Sequence, residues 1–214
     1  MTSADRGQTL PTPFKPMLAH DKLAPPWGKP GWVFEEKVDG YRTIAYKQGN
    51  AVALVSRNMR NLMPRFRDVG AALTELDAPT LILDGEIARF DQDFVSHLLY
   101  MRNEDRAIVT DPVFVAFDCL FARGRDLRDE PLRERRRVLE RELEGAKGPI
   151  MMARRLDADW QKAWAEVKER GYEGLIAKQE DSIYEPGKRS NAWIKVKHRI
   201  RRGWPEEKIE RRSG

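Results

Sequence analysis

Residues 32–56 read WVFEEKVDGYRTIAYKQGNAVALVS. Three short runs rich in β-branched and aromatic side chains, WVFEEK, YRTIAYK and AVALVS, are separated by Asp39-Gly40 and Gly49-Asn50, pairs that end strands and turn the chain. Gly49-Asn50 between two apolar runs predicts a hairpin. Downstream, TLILDGEIARF holds Asp84-Gly85 and predicts another strand pair, while PVFVAFDCLF is almost wholly apolar and reads as a buried central strand. EGLIAKQ and AWIKVKH predict two last strands on either side of YEPGKRSN. Helices fit between these runs. One is opened by Pro64 with Phe66, Val69, Leu73 and Leu76 on a stripe. A charged one runs from Pro131 to about Leu143, with Leu132, Leu139 and Leu143 facing inward. A third has Asp157 as N-cap, Trp160, Trp164 and Val167 inside, and Gly171 as its stop. Strands outnumber helices and alternate with them irregularly. The fold class is therefore α+β, with mixed, largely antiparallel sheets and packed helices.

The chain has 214 residues, 41% of them hydrophobic, which is enough to bury a sizeable core. Residues 1–30 are proline-rich and polar and are expected to wrap the surface or stay partly disordered. The main domain covers 31–198, and 199–214 form a basic tail. No apolar run approaches the ~18 residues of a membrane span, and MTSADRGQTLPTPFKP lacks the apolar core of a secretory signal. A single cysteine, Cys119, excludes an internal disulfide and a cysteine-rich zinc site, and His20, His97 and His198 are scattered. The expectation is a soluble, cytoplasmic, monomeric protein with no membrane partner. The last twenty residues hold 8 Lys/Arg against 3 Asp/Glu, which is the whole net charge of +5 and leaves 31 of each sign elsewhere. Such a segment attracts polyphosphate backbones, although a solvated tail has the same composition.

The chemistry-bearing residues are weak signals one at a time. In EKVDGYR, Lys37 ends one strand where the chain turns into the next. An amine attacks phosphorus only when deprotonated, and a lysine's reference pKa of ~10.4 must be lowered by burial or positive neighbours. A surface lysine beside an ordinary turn reads the same way. Arg57 follows a strand in SRN, Glu86 sits in LDGE, and Phe117 lies in FVAFD, where core packing is the default role of an aromatic. Glu173 and Lys178 lie at the two ends of EGLIAK. Lys195 and Lys197 in WIKVK share one strand face by the period of two. Two lysines on one face of an otherwise apolar strand repel each other, and an anion such as phosphate resolves the conflict.

Taken in order, these segments resemble the nucleotidyltransferase motifs of ATP-dependent polynucleotide ligases over roughly residues 14–198. EKVDGYR matches motif I, SRN Ia, LDGE III, FVAFD IIIa, EGLIAK IV and WIKVK V. PFKPMLA and EEKVDGYR look most like the bacterial end-joining group, ligases D and C. The resemblance implies the ATP-grasp-like adenylation fold, ATP as AMP donor, Mg²⁺ or Mn²⁺ as metal, nicked duplex DNA as partner, and a role in DNA repair near the bacterial nucleoid. It implies that Lys37 attacks the α-phosphate of ATP, that AMP passes to the 5′-phosphate of a nick, and that the 3′-OH then seals the strand. By the same carry-over, Glu35 reads the adenine amino group, and Arg42 and Arg57 contact the ribose or the nick phosphate. Glu86 holds the ribose or a metal, Phe117 stacks on adenine, Glu173 binds Mg²⁺, and Lys178, Lys195 and Lys197 surround the α-phosphate. Asp39 matches the motif but is equally a turn residue. Tyr41 is read as core or turn packing.

Two features depart from the family. Ligases of this group continue into an OB-fold domain, whereas WIKVK is followed here by HRIRRGWPEEKIERRSG. The expectation is an adenylation domain without the OB fold, gripping DNA through Arg199, Arg201 and Arg202 or with a partner protein that supplies the clamp. In DQDFVSHLLYMRN, His97 and Tyr100 replace polar residues usual in the family, and His97 is read as a satisfied surface histidine. An RNA ligase or capping-type nucleotidyltransferase and a non-catalytic nick-binding module are the alternative readings.

Overall fold

The hairpin at Gly49-Asn50 joins β3 (Tyr41–Gln48) to β4 (Ala51–Ser56), with Gln48 paired to Ala51 and Gly49 at φ 54°. A positive φ at the first of two turn positions suits glycine and matches the twist of the strands. The computed structural model describes residues 10–22, 24, 28–102 and 110–198. Among these, the strands form two sheets. The first has the order β1 (Leu18–Asp21), β10 (Arg189–Lys197), β9 (Gly174–Gln179), β2 (Trp32–Glu36), antiparallel except where β1 runs parallel to β10. The second has the order β4, β3, β5 (Thr80–Ala88), β6 (Val113–Ala122), β7 (Arg125–Asp126), with β8 (Ile150–Met152) parallel to β6.

One core lies between the sheets, where Met17, Tyr184 and Trp193 meet Ile44, Tyr46, Ile82 and Leu120. A second lies under α1 (Arg67–Thr74) and α2 (Leu132–Glu142), with Val69, Leu73, Leu139 and Leu143 against Leu81, Leu83 and Ala116. A third sits under α3 (Trp160–Arg170), where Ala163 and Val167 cover Phe34, Leu175 and Ile194. The α+β class and the buried β6 are as the sequence predicts.

Several local expectations change. Asp84-Gly85 makes no turn: β5 continues through it with a shift of register against β6, Asp84 is fully buried against Arg42, and a Cβ on Gly85 would lie 2.5 Å from the Phe114 ring. Asp39-Gly40 makes no hairpin either. It carries the chain from β2 in one sheet to β3 in the other, and Gly40 passes so near β5 that a Cβ would lie 2.2 Å from the Ile87 carbonyl. Pro64 sits in a turn, and α1 starts at Arg67 after Phe66. The α3 cap is Asp159, whose carboxylate accepts from Gln161 and Lys162, while Asp157 supports the Asp159 amide instead. Gly171 ends α3 at φ 70°. The segment expected only to wrap the surface contributes β1 and the buried Met17. A strap at 150–156 joins the sheets, since β8 pairs with β6 while the backbone of Arg154 and Leu156 bonds to β2. No helix among the described residues is long and apolar enough to cross a membrane.

Candidate active site

Lys37 stands just past β2, on the loop that crosses from one sheet to the other. Its amide donates to the Gly174 carbonyl, and its ammonium donates to the Glu173 carboxylate, with Asp39 4.0 Å away. Glu173 also takes Lys197 at 2.8 Å. Burial would raise the Glu173 pKa, but Lys37 and Lys197 outweigh it and hold the carboxyl below its ordinary value. Asp39 is tied into the 91–102 segment: its amide donates to Ser96 Oγ, and its carboxylate accepts from the Leu98 amide. Both bonds are 2.9 Å, so the loop carrying Lys37 is fixed from a segment about sixty residues away. His97 packs edge-on against Tyr100.

Glu35, Lys37, Arg42, Arg57, Glu86, Phe117, Lys178 and Lys195 line one cavity of about 220 Å³. Glu173, bonded to Lys37, and Lys197, bonded to Glu173, stand beside that lining. Arg199, Arg201 and Arg202 lie outside the described residues. A larger, open depression of about 780 Å³ over α3, between Asp93 and Arg170, lies apart from these residues. Its lining, Asp93, Lys162, Ala165, Glu166, Glu169 and Arg170, holds none of the convergent groups.

The positions refine the expected roles. Arg42 forks onto Asp84 through Nε and Nη2, both at 2.6 Å, and Asp84 also accepts from Tyr184 at 2.7 Å. Burial would lower the Arg42 pKa, yet Asp84 raises it overall, so this cation is fixed. Its guanidinium lies 4.5 Å from the Phe117 ring centroid. Lys178 is only 1% exposed. Its ammonium pairs with Glu35 at 2.6 Å and sits 4.4 Å from Phe117 and 4.3 Å from Trp193, on the cavity floor. Burial lowers its pKa in spite of Glu35. Lys195 reaches Asp21 at 3.2 Å. Glu86 faces Arg42 across the β3–β5 ladder, and burial pushes its pKa up to about 7 against the pull of Arg42 and Lys37. Arg57 is exposed at the rim.

Sequence reading missed four contributors. Asp84 and Trp193 stand inside the quoted motifs, and only their burial shows their part. Ser96 anchors Asp39, and Arg136 approaches Glu35 from α2. The last two act across long sequence separations and leave no local pattern.

The model of the ATP-dependent DNA ligase domain matches residues 16–197. This chain belongs to that family. The ligase-family chain is 33% identical to the multifunctional non-homologous end joining protein LigD of Mycolicibacterium smegmatis over 193 residues, which is 90% of this chain and 25% of the relative. It thus spans about a quarter of that relative's length. Among solved structures, a mycobacterial DNA ligase D complexed with ATP and MES superposes with a TM-score of 0.76 at 33% identity. That match covers 86% of this ligase domain and 60% of the other chain. The ligase domain of Mycobacterium tuberculosis LigD gives 0.74 at 34% identity, over 86% and 59%.

Proposed function

We propose that this ligase domain seals nicks in duplex DNA during end joining, through a covalent AMP carried on Lys37. The observation that carries the reading is the convergence on one cavity of an amine, two flanking carboxylates, two further lysines and an aromatic floor. Lys37 Nζ, once free of Glu173 and its extra proton, attacks the α-phosphorus of ATP. The N–P bond forms and the bond to pyrophosphate breaks. A 5′-phosphate oxygen of the nick then attacks the same phosphorus and the lysine leaves. The 3′-OH attacks the activated 5′-phosphate, releasing AMP.

Lys195 and Lys197, on one face of β10, meet the negative charge that builds in each step. Arg42, already fixed by Asp84, presents its remaining guanidinium edge with Phe117 toward the nucleoside, and Arg57 at the rim suits the nick phosphate. Among the described residues no group of three or more His, Cys, Asp or Glu is placed to hold a metal ion. Glu86 and Glu173, which both act on Lys37, fit a divalent cation that takes one or two carboxylates and completes its shell with waters and phosphates. When bound, Mg²⁺ supplies charge neutralisation on the phosphates. The test is a nicked duplex with a labelled 5′-phosphate, incubated with ATP and Mg²⁺. Wild-type protein converts it to the full-length strand and Lys37→Ala does not. Supplied already adenylated, the nick is sealed by the variant as well, because only transfer through Lys37 is lost. No sealing of either substrate by the wild type would refute the reading.

A further inference from the structure

Asp21 sits where a break in strand register puts it. β1 is the edge strand of the first sheet and runs parallel to β10, with Leu18 opposite Arg189 and Ala19 opposite Ser190. Continued, that register would set Asp21 opposite Ala192. Instead the pairing shifts between Ala19 and His20, so that His20 faces Ile194 and Asp21 faces Lys195. Irregularities of this kind, at sheet edges and beside active sites, re-aim side chains. The outcome is an ion pair of 3.2 Å between Asp21 and Lys195, backed by a 3.2 Å bond from the Lys22 amide to the Lys195 carbonyl. The other lysines of the site have firmer partners: Lys178 is buried together with Glu35, and Glu173 holds Lys37 and Lys197 at once. The Asp21 side chain is 50% exposed and that of Lys195 29%. An exposed pair is weak, so among these pairs it yields to an arriving phosphate most readily. Lys195 lines the cavity and Asp21 does not, so Asp21 acts on the site through that lysine. Its charge also reaches Lys197, whose pKa is raised by Glu173 first and then by Asp21 and Asp39.

We propose that Asp21 is a positioning residue for Lys195, holding its ammonium at the cavity wall and competing with the nucleotide phosphate for it, so that Asp21 sets how tightly ATP binds and how readily AMP leaves after sealing. A nucleotide phosphate carries more charge than a carboxylate and takes the lysine when it arrives. The carboxylate takes it back as the phosphate departs. Asp21 is displaced before the chemistry begins, so removing its charge shifts binding and leaves the maximal rate unchanged. The inference rests on the adenylation reading above and adds to it a residue, outside the motifs, that governs affinity for the nucleotide.

The experiment measures the rate of covalent adduct formation against ATP concentration, with and without AMP as competitor, for wild type, Asp21→Asn, Asp21→Ala and Asp21→Glu, each checked for an intact thermal transition. Asp21→Asn should lower the ATP concentration for half-maximal rate about threefold, the scale of an exposed ion pair, at an unchanged maximal rate. The inhibition constant of AMP should fall by about the same factor. Asp21→Ala should behave alike and carries the test if Asp21→Asn does not fold. Asp21→Glu keeps the charge within reach of Lys195 and should stay near wild type. A half-maximal concentration that is unchanged or higher, a fall in maximal rate, or the same tightening in Asp21→Glu would overturn the proposal. A wild type that forms no adduct with ATP would instead overturn the adenylation reading.

Discussion

Replacing Glu86 by Gln should stabilise this domain at alkaline pH while removing its activity. Glu86 lies on β5 opposite Arg42, and burial lifts its pKa from 4.5 to about 7, with Asp84 and Asp39 pushing the same way and Arg42 and Lys37 opposing. The folded state therefore keeps a proton on Glu86 at pH values where the unfolded chain has lost it. Its contribution is fully present below pH 4.5 and is lost as pH rises through about 7. At 1.36 kcal/mol per pH unit that interval is worth up to about 3 kcal/mol, and partial exposure of the side chain to the cavity reduces it to about 2 kcal/mol. Glutamine has the same shape and does not titrate. Urea unfolding of both proteins at pH 4.5 and pH 8 should give nearly equal stabilities at the lower pH and an advantage of about 2 kcal/mol for Glu86→Gln at the higher. Glu36, whose pKa burial also raises to about 7, is present in both proteins and cancels. A difference that does not change with pH, or a variant less stable at pH 8, would refute the reasoning. Such a carboxylate weakens the fold at alkaline pH.

Asp84→Asn leaves the Arg42 guanidinium without its bidentate partner and should cost about 3–5 kcal/mol in urea unfolding; a loss below about 1 kcal/mol would show that the buried fork is not what fixes Arg42. Gly85→Ala sets a methyl 2.5 Å from the Phe114 ring and 2.6 Å from the Val115 carbonyl, so at least about 1–3 kcal/mol should be lost, and a neutral result would mean that the β5–β6 ladder yields there. Deleting residues 199–214 should leave adduct formation on Lys37 intact, weaken binding to nicked DNA and flatten its salt dependence. If the tail makes about three phosphate contacts, affinity in the intact chain falls roughly 40-fold between 50 and 200 mM salt, and an unchanged slope after deletion would make the tail mere solvated charge.

What the sequence made legible was whatever local pattern encodes. The Gly49-Asn50 turn, the apolar run of β6 and the Gly171 stop are written in neighbouring residues, and each forms as read. The motifs keep order and spacing along the chain, and eight of the residues singled out in them line one cavity. What escaped was set by partners far away. Asp84-Gly85 looks like a turn until Arg42 and Tyr184 claim the carboxylate and Phe114 fills the space beside the glycine. The helix LRERRRVLERE looks like a solvated charged face with a thin apolar stripe, yet Arg135 is fully buried on Asp118 and Arg136 turns toward Glu35. Lys178 reads as one more phosphate-facing lysine, and the Phe117 and Trp193 rings with Glu35 hold it on the floor. Burial of charge depends on which strands meet, and that is a property of the sheet pairing.

The most direct test of the central claim is transfer of label from ATP to the protein. With ATP labelled at the α-phosphate, the wild-type chain and Mg²⁺ should give an acid-labile covalent adduct on a denaturing gel, whereas γ-labelled ATP should give none. Lys37→Ala and Lys37→Arg should both be blank, since alanine has no amine and the guanidinium of arginine stays protonated. Adduct at the wild-type level in either variant, or none in the wild type, would contradict the account.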